Sequence, residues 1–151
     1  MSVKEKLADL EIELPDVPAP VAAYVPALVD RGVVRTSGQL PFKGGALVSE
    51  GLCGTAAVTN ARAKEAARQA ALNALAAAAS AAGGVENLES VVRVVVYVAS
   101  TDAFFAQPEI ANGASEVLME IFGQPHVRSA VGVAALPLNA TVEVETEFAL
   151  I

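Results

Sequence analysis

Two rhythms of apolar residues run along the chain. In stretches of about four to ten residues, apolar side chains alternate with polar ones or form β-branched runs, the habit of extended strands. Ala22 to Val29 and Val33 to Gln39 read as two strands joined by a turn at Asp30-Arg31-Gly32. A second turn at Lys43-Gly44-Gly45 leads to a short third strand, Ala46 to Ser49. Val91 to Val98 is β-branched on both faces, which marks an interior strand covered on both sides. Val127 to Leu136 and Thr141 to Leu150 are the last two, separated by Pro137-Leu138-Asn139.

The second rhythm is helical. Residues 2–10 form a short helix with Ser2 as its N-cap, and the three prolines of Leu14 to Pro20 then force an extended stretch. From Asn60 to Ala82 thirteen positions are alanine, the strongest helix former, so a long helix that packs closely on its neighbours is expected there. Thr59 or Asn60 caps it and Gly83-Gly84 ends it. Asp102 to Phe122 reads as a turn and a second helix, with Pro108 in its first turn and Ile110, Val117, Leu118 and Ile121 on its apolar side. The order is β-β-β-α-β-α-β-β. It predicts an α+β two-layer domain, one mixed sheet with two helices on one face.

Alternation assigns the faces of the last strands. Val142, Val144, Thr146 and Phe148 share one face, and Glu143, Glu145 and Glu147 the other. In the preceding strand Val127, Ser129, Val131 and Val133 oppose Arg128, Ala130 and Gly132. If the valine faces meet the helices, Arg128 and Glu143 lie together on the sheet's other face. A sheet whose interior strand is apolar on both sides needs a second cover, and a subunit interface supplies one.

Composition narrows the chemistry. The chain has 151 residues, enough for one domain with its own core. It is 54% hydrophobic and only 18% charged. Its net charge of −7 disfavours nucleic acid, and neither a leader nor a spanning segment is evident, which points to the cytoplasm rather than a membrane. One cysteine, Cys53, and one histidine, His126, exclude a disulfide framework and a multi-histidine metal site, so no metal or other cofactor is expected. His126, beside Pro125, reads as a loop residue. Arg128 among small apolar neighbours is the most telling side chain, because a partly buried guanidinium is a bidentate carboxylate binder.

Tyr24 in Ala-Ala-Tyr-Val, Thr36-Ser-Gly-Gln-Leu-Pro41, Asn112, and above all Arg128-Ser-Ala-Val-Gly-Val-Ala-Ala-Leu-Pro137 followed by Val142-Glu-Val-Glu145 together resemble the Rid family. These are the reactive-intermediate imine deaminases, also called YjgF or endoribonuclease L-PSP-like proteins. The resemblance covers residues 18–151 and leaves residues 1–17 as an N-terminal extension, as in a longer subgroup. It implies a chorismate-mutase-like fold and a homotrimer with ligand clefts between subunits. It implies hydrolysis of enamines and 2-imino acids, such as 2-aminoacrylate, to 2-keto acids and ammonia. By the same resemblance Arg128 pairs with the substrate carboxylate and Glu143 handles the attacking water. Ser37 and Gly38 line the pocket, Tyr24 shapes its wall, Asn112 adds a polar contact, and the Ala130 backbone faces the ligand. Many family members carry cysteine where this chain has Ala130, which argues against thiol chemistry. The alternative is a non-catalytic protein that uses the same cleft to bind small carboxylates. Ribonuclease action is opposed by the charge and the lack of a basic stripe.

Overall fold

The computed structural model describes residues 1–17 and 23–151. Part of the expected proline-rich stretch, Pro18 to Pro20, and the start of the expected first strand at Ala22 lie outside them. Ser2 caps α1 (Val3–Asp9). Its hydroxyl accepts from the Glu5 N–H at 3.1 Å while the Glu5 carboxylate accepts from the Ser2 N–H at 2.8 Å. This reciprocal box satisfies two donors that a helix start leaves open. Leu7 is buried, and Val3, Leu10, Ile12 and Leu14 pack against the same core, so the N-terminal segment is part of the hydrophobic interior.

β1 (Ala27–Asp30) and β2 (Val33–Thr36) form a hairpin. Its two turn residues, Arg31 (φ 53°) and Gly32 (φ 79°), are both left-handed, the geometry that matches the twist of paired strands. Both strands are shorter than the pattern predicts, although Gln39 still pairs with Val144 beyond the end of β2. The chain then leaves the sheet. β3 (Phe42–Lys43) and β4 (Ala46–Leu47) pair only with each other, which corrects the expectation that residues 46–49 extend the main sheet. The cause is a tether to the next helix: the Asn73 amide donates to the Leu40 and Phe42 carbonyls at 2.9 and 3.0 Å and holds this segment to the helix layer.

α2 (Asn60–Ala82) begins at Thr59, whose hydroxyl accepts from the Arg62 N–H at 3.1 Å. It ends at Gly83, which takes the left-handed φ of 81° that glycine tolerates best. Its alanines let it approach both the sheet and α3 (Gln107–Phe122) closely. The other main strands are β5 (Leu88–Ala99), β6 (Val127–Val133) and β7 (Val142–Leu150). The sheet order is β1-β2-β7-β5-β6; β5 and β6 are parallel and the other pairs antiparallel. α2 and α3 cover one face, where Val94, Val96, Val98, Val142, Val144 and Phe148 are fully buried. This is the mixed α+β two-layer architecture. Among the described residues no helix is long and apolar enough to cross a membrane.

One face assignment is reversed. β7 turns its valines to the helices as the pattern predicts, but β6 does not. Parallel pairing sets Arg128 opposite Val94 and Ala130 opposite Val96, so Arg128 and Ala130 look toward the helix layer. Val127 and Val131 are left 61% and 42% exposed on the other face. The reason lies in α3, which presents polar atoms to the edge strand, so the polar and small residues of β6 turn to meet them.

Candidate functional site

Arg128 projects from the edge strand β6 onto one face of α3. One guanidinium nitrogen, Nη1, donates to Asn112 Oδ1 at 2.8 Å and to Ser115 Oγ at 3.1 Å. Nη2 donates to the Pro108 carbonyl at 3.3 Å. Pro108, Asn112 and Ser115 stand four and three residues apart, so a helix stacks them on one side. Of five guanidinium N–H groups, two on Nη1 and one on Nη2 are engaged; Nε–H and the second Nη2–H remain for a planar acceptor. Among the described residues no carboxylate comes within ion-pairing distance of Arg128.

The main chain beside it is also open. The Ser100 N–H bonds to the Val133 carbonyl at 3.0 Å, so the odd-numbered residues of β6 aim their peptide groups at β5. Alternation leaves those of Arg128, Ala130 and Gly132 on the free edge.

A second group of candidates gathers around β7 and the end of β2. Glu143 lies on the outer face of the sheet, opposite Tyr97 of β5. Its carboxyl rests against Gly38, where a Cβ would collide with Oε1. Ser37 donates its hydroxyl to the Val25 carbonyl at 2.7 Å and its N–H to the Pro26 carbonyl at 2.8 Å, which brings the Tyr24 segment alongside; Tyr24 itself is 61% exposed. The three glutamates of β7 differ in company. Glu145 accepts from the Tyr97 hydroxyl at 2.9 Å and Glu147 pairs with Arg35 at 3.1 Å. Glu143 has no hydrogen-bond partner among the described residues, and burial, with Glu145 as a like-charged neighbour, pushes its pKa up.

The expectation that Arg128 and Glu143 share a face is therefore corrected. They lie on opposite faces, two strands apart and three residues out of level, a Cα separation of roughly 14 Å from strand spacings. Arg128, Asn112 and Ala130 form one group; Tyr24, Ser37, Gly38 and Glu143 form the other. Surface depressions of about 250 Å³ and 420 Å³ contain none of these seven residues. Among the described residues no cluster of His, Cys, Asp and Glu could hold a metal ion.

Two residues of the Arg128 group went unread in the sequence. Ser115 is 7% exposed and touches Arg128 directly. His126, expected as a loop residue, sits behind it with Nε2 2.9 Å from Ser115 Oγ. The available signals were the i, i+3 spacing of Asn112 and Ser115 on a helix and the i, i+2 spacing of His126 and Arg128 on extended chain.

Fold and residues together define a chorismate-mutase-like α+β protein with an arginine on its edge strand. The family model for endoribonuclease L-PSP matches residues 15–149, and the chain belongs to that family, which includes the YjgF and RidA proteins. It is 36% identical to protein TCP17 of Trypanosoma cruzi over 148 residues, 95% of this chain and 91% of that one. The crystal structure of Atu1372 from Agrobacterium tumefaciens superposes with a TM-score of 0.87 at 34% identity, covering 99% of this chain and 92% of that one. RidA from an Antarctic Psychrobacter aligns over 89% of this chain and 94% of its own, with a TM-score of 0.63 at 29% identity. The chain is thus more similar, and over more of its length, to Atu1372 than to this RidA.

Proposed function

We propose that this protein hydrolyses 2-imino acids and their enamine tautomers to 2-keto acids and ammonia, at sites assembled between the protomers of a homotrimer. One observation carries the reading: a half-buried arginine, in a chain of net charge −7, is held only by neutral oxygens and keeps a donor edge free. A guanidinium so held is prepared for a carboxylate from outside its own chain. The two residue groups cannot reach each other within a protomer. The Arg128 group of one copy and the Glu143 group of another, brought together, complete a cleft.

In that cleft Arg128 fixes the carboxylate and with it the plane of the C=N bond. An enamine first takes a proton at C3 and gives one up at nitrogen to become the imine. Water then forms a bond to C2, its proton passes to Glu143, and the nitrogen gains a proton. The carbinolamine's hydroxyl proton passes to the amino nitrogen, the C2–N bond breaks to release ammonia, and the C2=O bond forms. Burial and Glu145 raise the Glu143 pKa, which makes its carboxylate a better acceptor of the water proton and suits it to this shuttle. The free N–H and C=O of Ala130 lie along the same edge as Arg128 and are placed to meet the substrate nitrogen or the water. Net negative charge and the absence of a basic stripe oppose RNA as the substrate.

The test generates imino acids with an amino-acid oxidase and follows ammonia release. Acceleration over the spontaneous rate, lost in Arg128→Ala and in Glu143→Gln, is expected. No acceleration across several precursors overturns the catalytic reading, and tight 2-oxobutyrate binding without turnover would replace it with a binding role. Sedimentation should give a mass of three chains.

A further inference from the structure

We propose that Ser115 and His126 are positioning residues that set the direction of the Arg128 guanidinium, so that its free edge meets an incoming carboxylate. This inference rests on the reading of Arg128 as a carboxylate clamp. Ser115 Oγ accepts from Arg128 Nη1 at 3.1 Å and shares a hydrogen bond of 2.9 Å with His126 Nε2. A serine hydroxyl has one proton and two lone pairs. One lone pair is committed to Arg128. The bond to His126 takes up a further site, whichever ring nitrogen carries the proton, and fixes a rotor that otherwise turns freely. With Ser115 fixed, Nη1 is gripped from two directions, by Asn112 and by Ser115, and the guanidinium plane cannot swing about its long side chain.

The histidine is held in the neutral form this arrangement needs. Its Nδ1 is buried and has no hydrogen-bond partner. A second ring proton there would be an unsatisfied donor beside the Arg128 charge. Burial first, and Arg128 second, hold the imidazole pKa below its ordinary value. A buried polar atom without a partner is a cost, and packing the core needs no imidazole here, since an apolar side chain would fill the space without it. The imidazole therefore earns its place through the Ser115 bond.

The test measures 2-oxobutyrate affinity by calorimetry, with the uncharged 2-oxobutanamide as control. Ser115→Ala and His126→Leu should each weaken 2-oxobutyrate about tenfold, the loss of roughly one hydrogen bond to a charged group, and leave the amide unchanged. His126→Gln, whose amide can reach Ser115, should stay within about threefold of the parent. Equal losses for acid and amide, or none for either, overturn the inference. If Arg128→Ala itself binds 2-oxobutyrate normally, the failure lies in the clamp reading. A measurement on the unmodified protein covers variants that do not fold. His126 is the chain's sole histidine, so its ring signals in an NMR spectrum are unambiguous. Saturation with 2-oxobutyrate should raise its pKa, because a carboxylate at Arg128 offsets the neighbouring positive charge. An unmoved titration in the saturated protein overturns the coupling.

Discussion

The Glu143 carboxyl lies against the backbone of Gly38, with no room between them for a Cβ. The contact ties the strand end after β2 to the outer face of β7 and sets where the acid stands. Gly38→Ala should displace the carboxyl by about a side-chain atom's width and lower kcat for imine hydrolysis on the order of 10- to 100-fold, the cost of misplacing a reacting group by about 1 Å. Affinity for 2-oxobutyrate should change much less, because Arg128 is untouched. Steady-state kinetics beside calorimetry on one preparation separates the two, and an unchanged kcat would remove Glu143 from the chemistry.

Two half-buried titratable groups give stability opposite pH slopes. His126 has its pKa lowered from 6.5 by burial and by Arg128. The unfolded chain then binds the proton first, so stability falls as pH drops through 6.5 and levels off below the folded value. Glu143 has its pKa raised from 4.5 by burial and by Glu145. The folded protein holds that proton more tightly, so stability falls as pH rises from 4.5 and levels off above the folded value. Thermal melts of Glu143→Gln should therefore exceed the parent at neutral pH and converge with it below pH 4.5. His126→Gln should flatten the loss on acidification through 6.5. The opposite pattern for either variant contradicts the burial described for that group.

If the cleft takes Arg128 from one protomer and Glu143 from another, two dead variants can rescue each other. Arg128→Ala and Glu143→Gln chains, unfolded and refolded together in equal amounts, should recover about a quarter of the parent activity, the statistical share of interfaces with both intact partners in a random trimer. Each variant refolded alone should stay inactive. An inactive mixture of confirmed mixed trimers would place both groups in one chain's site and refute the division.

Much of this was legible in the residues. Thr59, thirteen alanines and Gly83 set both ends of α2, because caps and propensity act locally. The strict alternation of Val142 to Phe148 gave the faces of β7 because its helix side carries no charge and its other side is a row of glutamates. The same reasoning failed on β6, where the helix presents Asn112 and Ser115 rather than leucines and draws Arg128 inward. That outcome depends on the parallel register of β5 and β6, a long-range pairing that local spacing does not encode. The Ser115–His126 contact was hidden because Ser115 lies on α3 and His126 in the loop that leads into β6, and local spacing does not relate the two. The third strand was misplaced because its segment is tethered by Asn73, 33 and 31 residues beyond the Leu40 and Phe42 carbonyls it holds.

Gly113, inside α3, rests on the Lys64 carbonyl of α2, and a Cβ there would overlap that backbone oxygen. Glycine within a helix ordinarily costs about 1 kcal/mol relative to alanine, so Gly113→Ala would stabilise an isolated helix. Here the sign reverses. A carbonyl inside α2 cannot move without shifting the whole helix, and the alanines around it are already packed to contact. Overpacking of this kind costs about 1–3 kcal/mol, which outweighs the propensity gain. Gly113→Ala should lower the melting temperature by several degrees, on the order of 2–4 °C per kcal/mol at this chain length. Because Asn112 is the next residue and holds Arg128, the variant should also weaken 2-oxobutyrate binding. A melting temperature raised by the substitution would show that α2 and α3 are further apart than described.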